Sequence, residues 1–155
     1  MIVKRIALVL IIAAFVAIPM SALNVKATND KSVVGSWIGT VGTPFFSFKF
    51  LMTFSDDGGL IVSQSPITPD GSVFTAGHGE WNKIRSGEFA FTFLILRYNA
   101  TGAVFLGTSK VNGNIHIDGA NAYTGTATAC NLDPDGNVIF CFDASLSADR
   151  IRVGP

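Results

Sequence analysis

The chain has 155 residues, 48% of them hydrophobic, with 13 Phe, 16 Gly and equal numbers of basic and acidic side chains. Beyond residue 27, with Lys4, Arg5 and Lys26 removed, eight basic residues face eleven acidic ones, a formal charge of −3. That balance, without any Lys/Arg cluster, excludes the phosphate neutralisation on which nucleic-acid binding rests, and the remaining length suits one sizeable core rather than two.

Lys4 and Arg5 precede an uninterrupted apolar run from Ile6 to Ile18. Pro19 breaks that run, and small residues follow at Ser21-Ala22 and again at Val25 and Ala27. This is the pattern of a bacterial-type secretory signal over residues 1–27, with cleavage expected after Ala27. An uncleaved anchor is the rival reading, because Ile6 to Leu23 is uncharged and a membrane span needs about 17 to 25 residues. No Cys lies near either exit, so no lipid anchor is expected. The expectation is an exported protein, periplasmic or secreted, with a short linker at 28–32 and a single domain over 33–155. Membrane contact is expected only if the signal is retained.

From Val33 onward no stretch carries the helical period, whereas alternation and short apolar runs recur. Phe46, Phe48, Phe50, Met52 and Phe54 share one face of a first clear strand, with Ser47, Lys49, Leu51 and Thr53 on the other. Asp56-Asp57-Gly58-Gly59 turns that strand into Leu60-Ile61-Val62. The proline-bearing segment 65–72 is the longest loop, suited to a lid or rim. His78 to Asn82 resumes a strand, Ser86-Gly87 turns it, and Glu88 to Tyr98 returns with Phe89, Phe91, Phe93 and Ile95 on one face. Leu94 and Leu96 on the opposite face predict burial on both sides there.

Asn99 to Gly102 is the next turn, and the extended stretch 103–117 follows. Its apolar parity switches between Leu106 and Val111, which predicts a bulge or bend near Asn112-Gly113. A strand from Tyr123 to Cys130 has a small inner face of Gly125, Ala127 and Ala129, and the last strand starts at Val138. Between them, Asp133-Pro134-Asp135-Gly136-Asn137 has turn chemistry. A four-residue loop over 134–137 pairs Asp133 with Val138 and sets Cys130 opposite Cys141. In an exported chain these two form either a cross-strand disulfide or two independent thiols. The sum is an all-β fold, an antiparallel up-and-down meander of eight to ten strands closing into a barrel, because closure removes exposed edges. A sandwich is the alternative.

Gly35-Ser36-Trp37 opens the first strand. In that position the chain resembles lipocalins and their calycin relatives, whose Gly-X-Trp places an indole across the barrel base, and its size also resembles the allene oxide cyclase type of barrel. The resemblance spans residues 33 to 152 in strand pattern and these three residues in sequence. It implies a small hydrophobic ligand in the barrel mouth. The several binding-site tryptophans of avidin-like barrels are not matched, since only Trp37 and Trp81 are present.

The candidate ligand-binding residues are Trp37, Phe48, Phe50, Phe91, Phe93, Arg97, Tyr98 and Tyr123. Arg97 continues the aromatic face of its strand, so its planar guanidinium can orient a ligand carboxylate from the mouth, or simply be hydrated at the rim. Tyr98 and Tyr123 suit either a pocket rim or ordinary packing. His78 and Glu80, two apart on a strand, form a possible acid-base pair, or else a solvated outer face. His116 is expected to point outward and no metal site is expected. The Asp-rich segments read as turns, lacking calcium-loop spacing, and phosphate loops and nucleophile elbows are absent, so no cofactor is expected.

Three functions remain. The first is an exported barrel that binds a small apolar molecule. The second is a cofactor-independent cyclase or isomerase that uses the cavity for shape. The third is a structural or surface-interaction protein with a filled core. Whether the interior is open, and what points into it, separates them.

Overall fold

The computed structural model describes residues 31–65, 71–152 and 154. The expected export signal, its cleavage site and most of the expected 65–72 loop lie outside the described residues. Among the described residues nine strands follow one another: β1 (Gly35–Gly42), β2 (Ser47–Phe54), β3 (Gly59–Gln64), β4 (Val73–Phe74), β5 (Gly77–Arg85), β6 (Glu88–Tyr98), β7 (Phe105–Asp118), β8 (Ala122–Leu132) and β9 (Val138–Arg150). All their pairings are antiparallel.

Apart from β4, successive strands pair in turn, β3 directly with β5, and β9 returns to β1 to close the ring. The short β4 extends β5 along the same edge of β6, with Phe74 opposite Arg97 and His78 opposite Leu94. One extra residue therefore sits between them as a bulge, held where the Leu96 amide donates to Thr75 Oγ1 at 3.1 Å. The architecture is thus an up-and-down barrel of eight strands, the meander the alternation implied.

The inner face is the alternating apolar one. Phe50, Met52 and Phe54 of β2 and Phe89, Phe91, Phe93 and Ile95 of β6 are all buried. Burial on both sides of β6 is not found: Leu94 and Leu96 are 47% and 40% exposed. A closed barrel has one inside, and among the described residues no second layer covers its outer surface.

The irregularity in β7 also lies elsewhere than expected. The β6–β7 ladder slips between Arg97/Gly107 and Tyr98/Phe105, leaving Leu106 as the extra residue, while Asn112-Gly113 pairs regularly. Gly107 takes φ +111°, and a Cβ there would collide with the Leu132 carbonyl oxygen, so a glycine is needed at the bulge. Gly113 serves a different purpose, giving the Phe91 ring room to lie against the strand.

Cys130 stands opposite Cys141 and the two form a disulfide. The hairpin reaches that register by another route than the four-residue loop. Leu132, rather than Asp133, pairs with Val138, and a slip between Asn131/Phe140 and Leu132/Val138 leaves Ile139 unpaired. Asp133 is drawn into the turn, where its carboxylate accepts the Asp135 and Asn137 amides at 3.0 and 2.8 Å and the Asn137 side chain at 3.0 Å. These bonds hold its carboxyl below the usual carboxylate range.

Candidate ligand cavity

The two ends of the barrel differ in how much side chain their inward positions supply. At one end, Trp37 and Tyr123 pack edge to face at 4.9 Å, and Phe54 meets Tyr123 at 6.4 Å. Val33, Leu60, Ile115 and Ile117 complete this plug, all at most 2% exposed. The indole Nε1 of Trp37 donates to the Val33 carbonyl at 2.8 Å. Over its ring, at 4.1 Å, lies the Arg150 guanidinium, which also donates to the carbonyls of Val34 and Ser32, both at 2.6 Å, and of Ala120 at 3.1 Å. The last strand is thereby fastened to the segment that enters the first.

Toward the opposite end the inward residues become smaller on one side. Ala127 and Ala129 of β8 and Ala144 of β9 face Phe50 and Phe93 across the lumen, and a cavity of about 670 Å³ remains. Eight strands enclose an interior that side chains can just fill or that can hold one small ligand, and here each solution occupies one end. The mouth lies among the β1–β2, β6–β7 and β8–β9 turns. It carries an aromatic rim in which Phe45 is 72%, Phe46 42% and Phe140 46% exposed. Phe142 links this rim together, meeting Phe45 at 6.1 Å and stacking on Phe140 at 5.9 Å.

Polar atoms enter the cavity at few places. Gln64, Ser65 and Ser72 lie on one side, and Arg97, Ser109 and Asn131 form an arc across β6, β7 and β8. The Ser109 hydroxyl donates to Asn131 Oδ1 at 2.5 Å. Arg97 is the one charged residue among those described in the lining. Its Nη1 is buried and has no hydrogen-bond partner among the described residues.

The eight candidate binding residues are thus divided. Phe48, Phe50, Phe91, Phe93 and Arg97 line the cavity. Trp37 and Tyr123 belong to the plug beneath it, where the Tyr123 hydroxyl reaches Met52 Sδ at 3.7 Å and burial pushes the phenol well above its ordinary pKa. Tyr98 is paired with Phe105 at 5.7 Å beside the bulge and is not in the lining. His78 and Glu80 lie together on the exposed outer face of β5, with Trp81 turned inward against Phe54 and Phe89. The described lining contains no His, Asp, Glu, Cys or Tyr.

His116 is also outside, 3.9 Å from carboxylate oxygens of Glu88 and Asp118. Among the described residues no three His, Cys, Asp or Glu side chains gather as a metal site. Sequence reasoning passed over Ser109 and Asn131, although both are polar residues at inward parity on otherwise apolar faces, which is the signal that could have found them. Arg150 was passed over too, because its partners are backbone carbonyls far away in sequence.

Comparison of the chain with protein-family models, with curated proteins and with solved structures finds no match.

Proposed function

We propose that this protein binds a small hydrophobic ligand inside the open half of its barrel. One observation carries the reading: a cavity of about 670 Å³, walled by Phe, Ala, Val and Leu and open at an aromatic rim. That volume lies within the roughly 300–1,000 Å³ usual for small-molecule sites, and apolar walls with a few fixed polar groups are their usual composition. A filled core does not fit such an interior. Cyclase or isomerase chemistry is less well supported, because His78 and Glu80 are on the outside of the wall and a general acid or base must reach its proton within hydrogen-bonding distance.

Kinship with calycin barrels is part of the proposal, supported by the eight-stranded meander and by Trp37 across its base. Export is a further part, supported by the Cys130–Cys141 bridge, which persists in oxidising compartments.

Titration with a neutral fluorescent apolar probe, N-phenyl-1-naphthylamine, tests the binding reading. The wild-type protein should enhance the probe's emission at micromolar concentration. Ala127→Phe, which puts a ring into the lumen, should weaken probe binding by at least about tenfold, or about 1.4 kcal/mol, with the fold intact by circular dichroism. Equal binding by both proteins would place the probe elsewhere and remove the proposal.

A further inference from the structure

Resting on the reading that the cavity holds an apolar ligand, we infer that this ligand is an amphiphile with a single negative charge, a carboxylate seated against Arg97. Arg97 extends the inward row of β6 one step beyond Ile95, which is 3% exposed. Its neighbours across the strands are Phe74 on β4 and Gly107 on β7. The glycine offers no side chain to cover the guanidinium, and the phenyl ring offers no acceptor.

A guanidinium is always charged, and burying one of its nitrogens without an acceptor is unfavourable. Natural proteins place such groups against carboxylates or coordinate them with several acceptors. Arg97 Nη1 has neither among the described residues, and the described lining holds no Asp or Glu that could turn to meet it. An acceptor arriving from the lumen satisfies the group, and a carboxylate does so with two parallel N–H···O bonds that match the planar fork. Ser109 and Asn131, next along the arc, are already bonded to each other and bring dipoles but no second positive charge. One cation therefore matches one anionic charge. Below the head group the walls are Ile95, Phe93, Phe91 and Val111 on the arginine's side and Phe50, Met52 and Leu146 across the lumen, which is the environment of an aliphatic or aromatic body.

Calorimetric titration of the purified protein with decanoate, decanol, decyltrimethylammonium and decyl phosphate separates head group from tail. Decanoate should bind at least tenfold more tightly than decanol, and the quaternary cation most weakly. Arg97→Met should bring decanoate down to the level of decanol while decanol itself still binds, and Arg97→Lys should restore part of the difference. Decanoate binding no better than decanol, or decyl phosphate binding better than decanoate, would overturn the single-charge inference and leave the apolar cavity standing. An Arg97→Met protein that keeps its preference for decanoate would overturn the assignment to Arg97. Failure of all four ligands would remove the binding reading itself, and the inference with it. A ligand-free readout covers a variant that binds nothing: Arg97→Met should unfold at a higher temperature than wild type, and a lower midpoint would mean that the guanidinium is already satisfied.

Discussion

The two halves of this barrel are built on the same backbone and the same alternation, yet one is solid and the other hollow. In the plug, Trp37, Tyr123, Phe54 and Ile117 put large side chains at neighbouring inward positions, and the Arg150 guanidinium ties three chain segments across the base. At the mouth, Ala127, Ala129 and Ala144 stand where comparable bulk would close the lumen. Close-packed apolar side chains are thus concentrated in the plug, while the open half keeps apolar surface uncovered.

The sharpest way to break that contrast is at its base. Trp37→Ala removes a fully buried indole together with the surface on which Arg150 rests, and should cost about 3–5 kcal/mol of stability by the usual range for such truncations. Chemical denaturation checks this, and a loss under about 1 kcal/mol would mean that the plug is not what holds the ring together.

A smaller effect is expected from the hairpin that borders the mouth. The disulfide spans a sequence separation of 11 residues, and loop-closure entropy for that length is worth roughly 3 kcal/mol at most. Replacing both cysteines by Ala should lower stability by about 2–3 kcal/mol and raise hydrogen exchange chiefly in β8 and β9 near the mouth. Exchange that rises equally around Trp37 would show that the two halves unfold as one unit.

The third test uses pH to address the plug alone. Burial raises the Tyr123 phenol in the folded state, so the native protein keeps that proton at pH values where the unfolded chain releases it. The folded pKa is the higher one. The stabilisation is therefore complete below about pH 10 and is lost as pH rises beyond it, by up to about 1.4 kcal/mol per pH unit. Tyr123→Phe should match wild type at pH 7 and outlast it at pH 11.5 in thermal melts. Parallel losses in the two proteins would show that the hydroxyl is not sealed from water.

Much of this fold was readable from patterning, because a period of two states which residues share a face whatever the strand pairs with. The bounds of β6 and the inward set of β2 follow from such local rules, whereas Cys130 meets Cys141 only because a bulge at Ile139 makes up for a longer turn. Leu94 and Leu96 are exposed despite their apolar character, because a strand's second face is covered or bare according to what lies outside the sheet, which no local pattern specifies. The parity switch between Leu106 and Val111 announces a bulge but not its place: it falls at Leu106 and not near Gly113, and only the neighbouring strands show that Gly107 serves a positive φ and Gly113 the approach of a ring.

Sequence by itself determined the all-β class, the meander and the aromatic inner face, since each depends on alternation and turn chemistry over a few residues. Tertiary structure alone decided the height of each inward residue along the barrel axis. Height follows from the stagger of eight strands and the closure of β9 on β1, and it separates Trp37 and Tyr123 in the plug from Phe50 and Phe93 in the cavity. It also leaves Nη1 of Arg97 buried without a partner among the described residues, at the edge of the cavity.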